Sequence, residues 1–154
     1  STITITPDNK YLISGSYDKS IKIWNFEKKT CLNSIDDAHS SILFEKLLSI
    51  SPITSLVVTR DSQFFISGAE DGTMKLWEIQ TQQFHEFEEC HRGYFISLKE
   101  YRLGSVTSLA ITSSSRVLVS CSDDLTIKIW DLNQRKCVHT FTDAHHSIEN
   151  LQNR

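Results

Sequence analysis

Serine, histidine and aspartate recur together along this chain of 154 residues, and these residue types can build a nucleophilic hydrolase site. Three serines lie 53 positions apart, and three aspartates keep the same spacing. These residues are Ser14, Ser67 and Ser120, and Asp18, Asp71 and Asp124. A catalytic triad is needed once, in an accessible cleft. A set that occurs three times indicates a structural repeat, so we predict that the chain is not an enzyme.

Metal and cofactor chemistry has equally little support in the sequence. Cys90-His91 and His145-His146 contain metal-ligating types, but a zinc site needs about four ligands at spacings such as C-x2-4-C, which do not occur here. Glycine-rich phosphate loops and a His-Glu-x-x-His motif are also absent. We therefore expect no metal, no cofactor and no small-molecule substrate.

A tryptophan follows each serine and aspartate at the same spacing of 53 residues, which extends the repeat. The tryptophans are Trp24, Trp77 and Trp130. The matching segments are YLISGSYDKSIKIWNF at 11–26, FFISGAEDGTMKLWEI at 64–79 and VLVSCSDDLTIKIWDL at 117–132.

Each unit has the pattern of four short strands. A β-branched segment such as 106–111 leads through a polar turn to an apolar strand, and a second turn leads to a strand that alternates apolar residues with lysine. A weaker fourth strand follows at 31–35, 84–87 and 137–141. One such sheet cannot bury two apolar faces alone, so neighbouring units must stack on it. The pattern predicts an all-β fold of four-stranded antiparallel sheets.

The string Ser-Gly-Ser-x-Asp-x-Ser/Thr-Ile-Lys-Ile-Trp resembles the WD-repeat β-propeller family over nearly the whole chain. Trp130-Asp131 is a true Trp-Asp pair, and Trp24-Asn25 and Trp77-Glu78 are degenerate forms of it. The resemblance implies a partial β-propeller of about three blades whose ring is not closed. It also implies a parent propeller of about seven blades, so the remaining blades are expected partners.

The resemblance further implies a hydrogen-bonded tetrad of His, Ser, Asp and Trp in each blade. His39 would join Ser67, Asp71 and Trp77. The next set would be His91, Ser120, Asp124 and Trp130, and the set of Ser14, Asp18 and Trp24 would take a histidine from before Ser1. Ala38 and Cys90 stand where the family has a glycine before the histidine.

Two insertions lengthen the repeat beyond the roughly 40 to 45 residues usual for such units, at 40–53 and 92–105. They contain aromatic residues together with lysine and arginine, and exposed residues of these types are typical of binding hot spots. The candidate partner-binding residues are Phe44, Lys46, Tyr94, Phe95, Lys99, Tyr101 and Arg102. The alternative is that these insertions pack over the blade edges as a short helix or an extra strand.

We interpret 1–154 as a single partial propeller domain. Its parts are blade unit 1 at 1–39, with a first strand truncated at its start, unit 2 at 40–91, unit 3 at 92–145 and the start of a further unit at 146–154. Four cysteines without a C-x-x-C pair indicate reduced, buried thiols. Together with the absence of a signal-like amino terminus, they favour a cytoplasmic location.

The composition narrows the classes of partner. A formal charge of −3 and the absence of a basic block make nucleic acid an unlikely partner, and no apolar run is long enough to cross a bilayer. We predict a non-catalytic protein-protein interaction scaffold that binds proteins or peptides through its loop faces. One alternative is a regulatory or substrate-recruiting propeller within a larger enzyme or ubiquitin-ligase chain, and a second is a nucleic-acid-binding propeller.

Overall fold

The computed structural model describes residues 1–39, 51–88, 90–91, 94–97, 100–102 and 104–142. These residues form three four-stranded antiparallel sheets, here called blades 1 to 3, and one two-stranded hairpin. Blade 1 contains β1 (Thr2–Ile5), β2 (Tyr11–Gly15), β3 (Ile21–Asn25) and β4 (Thr30–Ile35). Blade 2 contains β5 (Ile53–Val58), β6 (Phe64–Ala69), β7 (Met74–Glu78) and β8 (Phe84–Glu86). The hairpin consists of β9 (Tyr94–Ser97) and β10 (Glu100–Arg102), and blade 3 contains β11 (Val106–Ile111), β12 (Val117–Ser122), β13 (Ile127–Asp131) and β14 (Lys136–Phe141).

The strands of each blade pair in chain order, as in a meander. Because neighbouring strands are antiparallel, the turns alternate between two edges of every blade. The turns between first and second strands and between third and fourth strands lie on one edge, called the turn face. The turns between second and third strands lie on the other edge with the connections between blades. We call this second edge the insert face.

The turns use left-handed backbone at equivalent positions. Ser62 and Ser115 have φ values of 59° and 54°. The Ser115 hydroxyl accepts a hydrogen bond of 2.8 Å from the Arg60 amide, which belongs to the preceding blade. Pro7 occupies the position of Arg60 one unit earlier and lacks an N–H, so the Asp8 amide donates to Ser62 Oγ instead, at 3.2 Å. The turn face thus joins successive blades through polar contacts.

The hydrophobic core lies between the blades, as stacked sheets require. The cluster between blades 1 and 2 includes the fully buried side chains of Ile13, Ile21 and Phe65. The cluster between blades 2 and 3 includes Met74 and Trp130 in the same state. The described residues therefore form a partial β-propeller whose three blades do not close a ring.

Two glycines allow successive blades to approach closely. A Cβ atom built on Gly15 would lie 2.4 Å from Ile53 Cγ2, and one built on Gly68 would lie 2.6 Å from Val106 Cγ1. In both cases the contacted residue begins the first strand of the following blade. Cys121 occupies the equivalent position in blade 3.

The structure shows where the four cysteines lie and what the second insertion forms. The expectation of four buried thiols is wrong, since Cys90 is buried but Cys31 is exposed and Cys121 and Cys137 are half-buried; all four are free. Cys31 is exposed because its strand, β4, forms the outer edge of a blade. The second insertion contains strands β9 and β10, which pair with each other as a separate two-stranded sheet. The segment 146–154 lies outside the described residues.

Candidate functional site

The polar cluster of blade 2 joins residues from three separate segments. Trp77 Nε1 donates a hydrogen bond of 2.7 Å to Ser67 Oγ, and the same oxygen lies 2.6 Å from His39 Nε2. His39 Nδ1 lies 2.6 Å from Thr73 Oγ1, and the Thr73 hydroxyl donates to Asp71 Oδ1 at 2.6 Å. The expected partners thus come together, but His39 reaches Asp71 through Thr73 rather than directly.

The direction of these bonds assigns the histidine tautomer. Because the single hydroxyl proton of Thr73 goes to the carboxylate, its oxygen accepts from Nδ1–H of His39. Nε2 of the neutral ring then carries no proton and accepts from the Ser67 hydroxyl, whose oxygen also accepts from the indole. A neutral imidazole with its proton on Nδ1 satisfies every bond.

Blade 3 has the same cluster with a direct contact to the carboxylate. Trp130 Nε1 donates to Ser120 Oγ at 2.9 Å, and His91 Nε2 lies 2.7 Å from that oxygen. His91 Nδ1 lies 3.0 Å from both Asp124 Oδ2 and Thr126 Oγ1. In blade 2, by contrast, the corresponding carboxylate oxygen, Asp71 Oδ2, is buried with no hydrogen-bond partner.

Blade 1 has the cluster without a histidine among the described residues. Trp24 Nε1 donates to Ser14 Oγ at 2.9 Å, and the Ser20 hydroxyl donates to Asp18 Oδ1 at 2.6 Å. Both bonds match their counterparts in the other blades. The indole–serine bond and the turn bond therefore each join residues within a single blade.

A lysine adds a hydrogen bond to each of the two clusters that contain a histidine. Lys75 Nζ donates to the carbonyl of Ala38 at 2.9 Å, and Lys128 Nζ donates to the carbonyl of Cys90 at 2.8 Å. Each carbonyl belongs to the residue just before the histidine. Lys75 also lies 4.3 Å from the ring centroid of Phe84, a cation–π contact. Strand alternation alone did not reveal this role, although Lys22, Lys75 and Lys128 share the 53-residue spacing.

Electrostatics keep the blade 2 cluster neutral at its histidine. Burial lowers the pKa of His39 to about 4, with the nearby Asp71 charge opposing and the Lys75 charge reinforcing the shift. Burial also lowers the pKa of Lys75.

Two other groups near these clusters have shifted pKa values. Burial acts to raise the pKa of Asp124, but hydrogen bonds from His91 and Thr126 outweigh it and the net pKa is lowered. Burial raises the pKa of the Cys90 thiol to about 12, so this cysteine stays protonated.

The clusters are sealed from solvent. Ser67 and Ser120 have no exposed surface, and His39 and His91 are 1% and 2% exposed. Each serine oxygen already contacts an indole and an imidazole. A substrate carbonyl cannot reach such a hydroxyl, so these Ser-His-Asp sets are unsuited to nucleophilic catalysis.

Of the expected partner-binding residues, Phe44, Lys46 and Lys99 lie outside the described residues. Tyr94 and Phe95 lie on β9, and Tyr101 and Arg102 lie on β10. In the hairpin Tyr101 pairs with Phe95, and Arg102 pairs with Tyr94. The backbone thus brings all four onto neighbouring rungs of one ladder.

The insert face also contains a concavity of about 390 Å³ that sequence reasoning missed. Its lining includes Tyr17, Glu70 and Asp123, each of which directly precedes the turn aspartate of its blade. Tyr17 is 68% exposed. Ile53 and Thr54, at the start of β5, also line the concavity. The common spacing of residues 17, 70 and 123 was the available signal.

The described residues give no structural support to a metal centre or a membrane span. Over those ranges, no three His, Cys, Asp or Glu side chains are grouped so that they could hold a metal ion. Within the same part of the chain, no helix has the length and apolar character that crossing a bilayer requires.

Comparison with known proteins identifies the repeat. The family model described as "WD domain, G-beta repeat" matches residues 1–25, 46–78 and 96–131. Nuclear distribution protein nudF of Emericella nidulans is 30% identical over 149 residues, covering 90% of this chain and 31% of that protein. Striatin-3 of Mus musculus is 24% identical over 144 residues, covering 92% of this chain and 18% of that protein. WD repeat-containing protein pop2 of Schizosaccharomyces pombe is 28% identical, covering 83% of this chain and 20% of that protein.

The chain thus spans less than a third of the length of these relatives. The family model nevertheless matches more than half of the chain, and each of its three segments contains the first three strands of one blade. The matched segments end at or next to the tryptophans that bond to the second-strand serines. The chain therefore belongs to the WD-repeat family of β-propellers.

Proposed function

We propose that this chain is part of a non-catalytic scaffold that binds proteins or peptides through its insert face. The observation that carries the proposal is the burial of every described Ser-His pair inside a blade, which leaves the loops as the accessible chemistry. Membership of the WD-repeat family supports the same conclusion. A cytoplasmic location is part of this proposal.

The insert face has features suited to an extended protein segment. Tyr17 presents a large and mostly exposed ring, and such rings provide contact area at a low cost in conformational entropy. The carboxylates of Glu70 and Asp123 line the same concavity, and the described residues offer neither of them a hydrogen bond or ion pair. A partner segment with an apolar residue next to a lysine or arginine would complement this surface.

The hairpin of β9 and β10 belongs to the same edge of the molecule, because it interrupts the connection between blades 2 and 3. Tyr94 and Tyr101 are aromatic residues of the kind that dominate binding energy at interfaces. We propose that the hairpin and the concavity form one binding surface.

The test is selection of binders from a random peptide library, followed by affinity measurement on purified variants. We expect Tyr94→Ala with Tyr101→Ala, and separately Tyr17→Ala, to weaken the selected peptides by about tenfold or more. Lys28→Ala with Lys29→Ala on the turn face is the matched control and should leave affinity unchanged. Equal losses in the control, or unfolding of the tyrosine variants, would contradict the proposal.

The two alternatives predict different results. A nucleic-acid-binding propeller would bind labelled RNA or DNA with an affinity that falls steeply with salt. A substrate-recruiting propeller would bind peptides in the same way as a scaffold, but its full-length chain would have a catalytic activity.

A further inference from the structure

The turn between the first two strands has the same backbone geometry in all three blades. In each blade the amide of a threonine donates, at 2.9 Å, to the carbonyl of the residue that begins the second strand; the threonines are Thr6, Thr59 and Thr112. The third residue after each threonine has a φ between 54° and 59°. We call this segment of each blade the first turn.

Blades 1 and 2 stabilise the first turn with a carboxylate. Asp8 Oδ1 accepts from the Thr6 hydroxyl at 2.6 Å and from the Lys10 amide at 3.1 Å. Asp61 accepts from the hydroxyl of its own threonine at 2.5 Å and from the Gln63 amide at 3.0 Å. Lys10 Nζ also lies 3.5 Å from the second carboxylate oxygen of Asp8. The bonds from Thr6 and Lys10 lower the pKa of Asp8, so the turn favours an anion at this position.

Blade 3 has a serine where the other two blades have the aspartate. Ser114 lies 53 residues after Asp61, and its hydroxyl oxygen lies 3.2 Å from Thr112 Oγ1. The Arg116 amide aligns with the Gln63 amide but donates no hydrogen bond among the described residues. The first turn of blade 3 thus has the donors of an anion site without the anion.

Two cations accompany these donors. Arg116 occupies the place of Lys10, the residue that pairs with the carboxylate in blade 1. Arg60 reaches the turn from blade 2: its amide donates to Ser115 Oγ at 2.8 Å, and its Nη1 donates to the Ser113 carbonyl at 3.4 Å. Both arginines are exposed, and neither forms an ion pair within the described part of the chain. Two guanidinium groups next to a serine are suited to bind a phosphate on that serine.

Three consecutive serines lie in this turn, and their surroundings distinguish one of them. Ser115 is half-buried, and its oxygen already accepts from the Arg60 amide. Ser113 aligns with Arg60, which is basic, whereas Ser114 aligns with the acidic position and is exposed. Asp61 is exposed as well, although blade 3 adjoins its turn, so exposure at this position does not depend on which sheet adjoins the blade.

We propose that Ser114 is a phosphorylation site, at which a protein kinase supplies the anion that the first turn of blade 3 lacks. The kinase transfers the γ-phosphoryl group of ATP to Ser114 Oγ. A P–O bond forms to the serine oxygen, the bond from the γ-phosphorus to the bridging oxygen of ADP breaks, and the hydroxyl proton passes to the catalytic aspartate of the kinase.

The phosphate would link two blades. Its terminal oxygens lie one bond further from Cβ than those of an aspartate, a length that suits the guanidinium groups of Arg60 and Arg116. Because Arg60 belongs to blade 2, the phosphate stabilises the junction between blades 2 and 3. The site lies on the turn face, apart from the insert face proposed to bind peptides.

The first experiment uses the whole chain with phosphoserine incorporated at position 114 during translation. In a phosphorus NMR titration, the second pKa of this phosphate should lie below the value of about 6 usual for phosphoserine, because the two arginines favour the dianion. Arg60→Gln with Arg116→Gln should return it to the usual value. Phosphoserine at position 34 is the matched control, since Ser34 is exposed and its hydroxyl donates to Asp36. A pKa at position 114 no lower than at position 34 would overturn the anion site.

Urea denaturation measures the effect on the fold. Phosphoserine at position 114 and Ser114→Asp should each raise the urea midpoint, with the equilibrium constant for unfolding reduced by about two- to tenfold. Arg60→Gln should remove part of the gain from phosphoserine. Ser114→Ala should leave the midpoint unchanged, since the serine hydroxyl has only an exposed contact to Thr112. A midpoint that falls with both anionic side chains would contradict the proposal.

Mass spectrometry shows whether the site is modified in the cells that produce the protein. Trypsin releases residues 103–116 with all three serines of the turn, and fragment ions assign the phosphate to one of them. With phosphatases inhibited during isolation, we expect the phosphate on Ser114. A phosphate confined to Ser113 or Ser115, or an unmodified peptide, would overturn Ser114 as the modification site.

Discussion

His39 Nδ1 lies 2.6 Å from Thr73 Oγ1, and this contact is its route to the turn carboxylate of blade 2. In blade 3 the equivalent nitrogen of His91 contacts both Thr126 and Asp124 at 3.0 Å. The same residue types at the same spacing thus form a series of bonds in one blade and a branched set in the next. The two blades should respond differently to loss of the threonine hydroxyl.

Thr73→Val removes the hydroxyl and keeps the side-chain shape. We expect a loss of about 1 to 3 kcal/mol in the free energy of unfolding, because His39 Nδ1–H is left buried without an acceptor. Thr126→Val is the matched control and should cost less, since Asp124 still accepts from His91. Urea denaturation of both variants measures the two losses in the free energy of unfolding. Equal losses would contradict the hydrogen bonds assigned to the two histidines.

Stability should depend on pH through His39. Its pKa is about 4 in the fold and 6.5 in the absence of burial, so the unfolded chain takes up the proton first. A group with a lowered pKa contributes stability that is present above pH 6.5 and is lost as the pH falls towards 4. The urea midpoint should therefore fall across this window. His39→Gln should flatten the dependence there; a wild-type slope in that variant would exclude His39 as its source.

Trp77→Ala should lower the free energy of unfolding by about 3 to 5 kcal/mol, the range for truncation of a buried aromatic side chain. The indole stacks on Phe65 at 5.9 Å between ring centroids and donates to the buried Ser67. Trp24→Ala provides the comparison, because that indole is half-buried and should cost less. An unchanged urea midpoint for Trp77→Ala would refute the role assigned to the indole.

Gly68→Ala should destabilise the junction between blades 2 and 3 by about 1 to 3 kcal/mol, the usual cost of overpacking. The new methyl group would meet the branched side chain of Val106, which is fully buried. Val106→Ala in the same chain should recover part of the loss by making room. The double-mutant cycle measures this coupling by urea denaturation, and strictly additive effects would count against the close approach.

The repeat spacing and the strand pattern predicted the three four-stranded blades, whereas the grouping of His, Ser, Asp and Trp into one cluster per blade came from the family resemblance. A 53-residue period fixes which residues occupy equivalent strand positions. Strand register then brings Ser67 opposite Lys75 and within diagonal reach of the Trp77 indole. The all-β class followed from the same pattern. The location of the core between blades followed because each sheet has two apolar faces.

The hydrogen-bond partners within each cluster could not be predicted from the repeat spacing. Whether His39 contacts Thr73 or Asp71 depends on interatomic distances within the cluster, which sequence patterns do not resolve. The bond from Lys75 to Ala38 joins residues 37 positions apart, one on β7 and the other in the connection between blades 1 and 2. The concavity at Tyr17 likewise arises only when separate blades adjoin.

The substitution of Cys121 for the glycine found at residues 15 and 68 sets a local limit on curvature. A β-branched side chain from an adjoining strand fits against either glycine, but against Cys121 it would meet the β-carbon. Any sheet that adjoins blade 3 at this point must stand further away or present a smaller residue. In an artificial ring, copies of blade 2 could therefore approach one another more closely at this point than copies of blade 3.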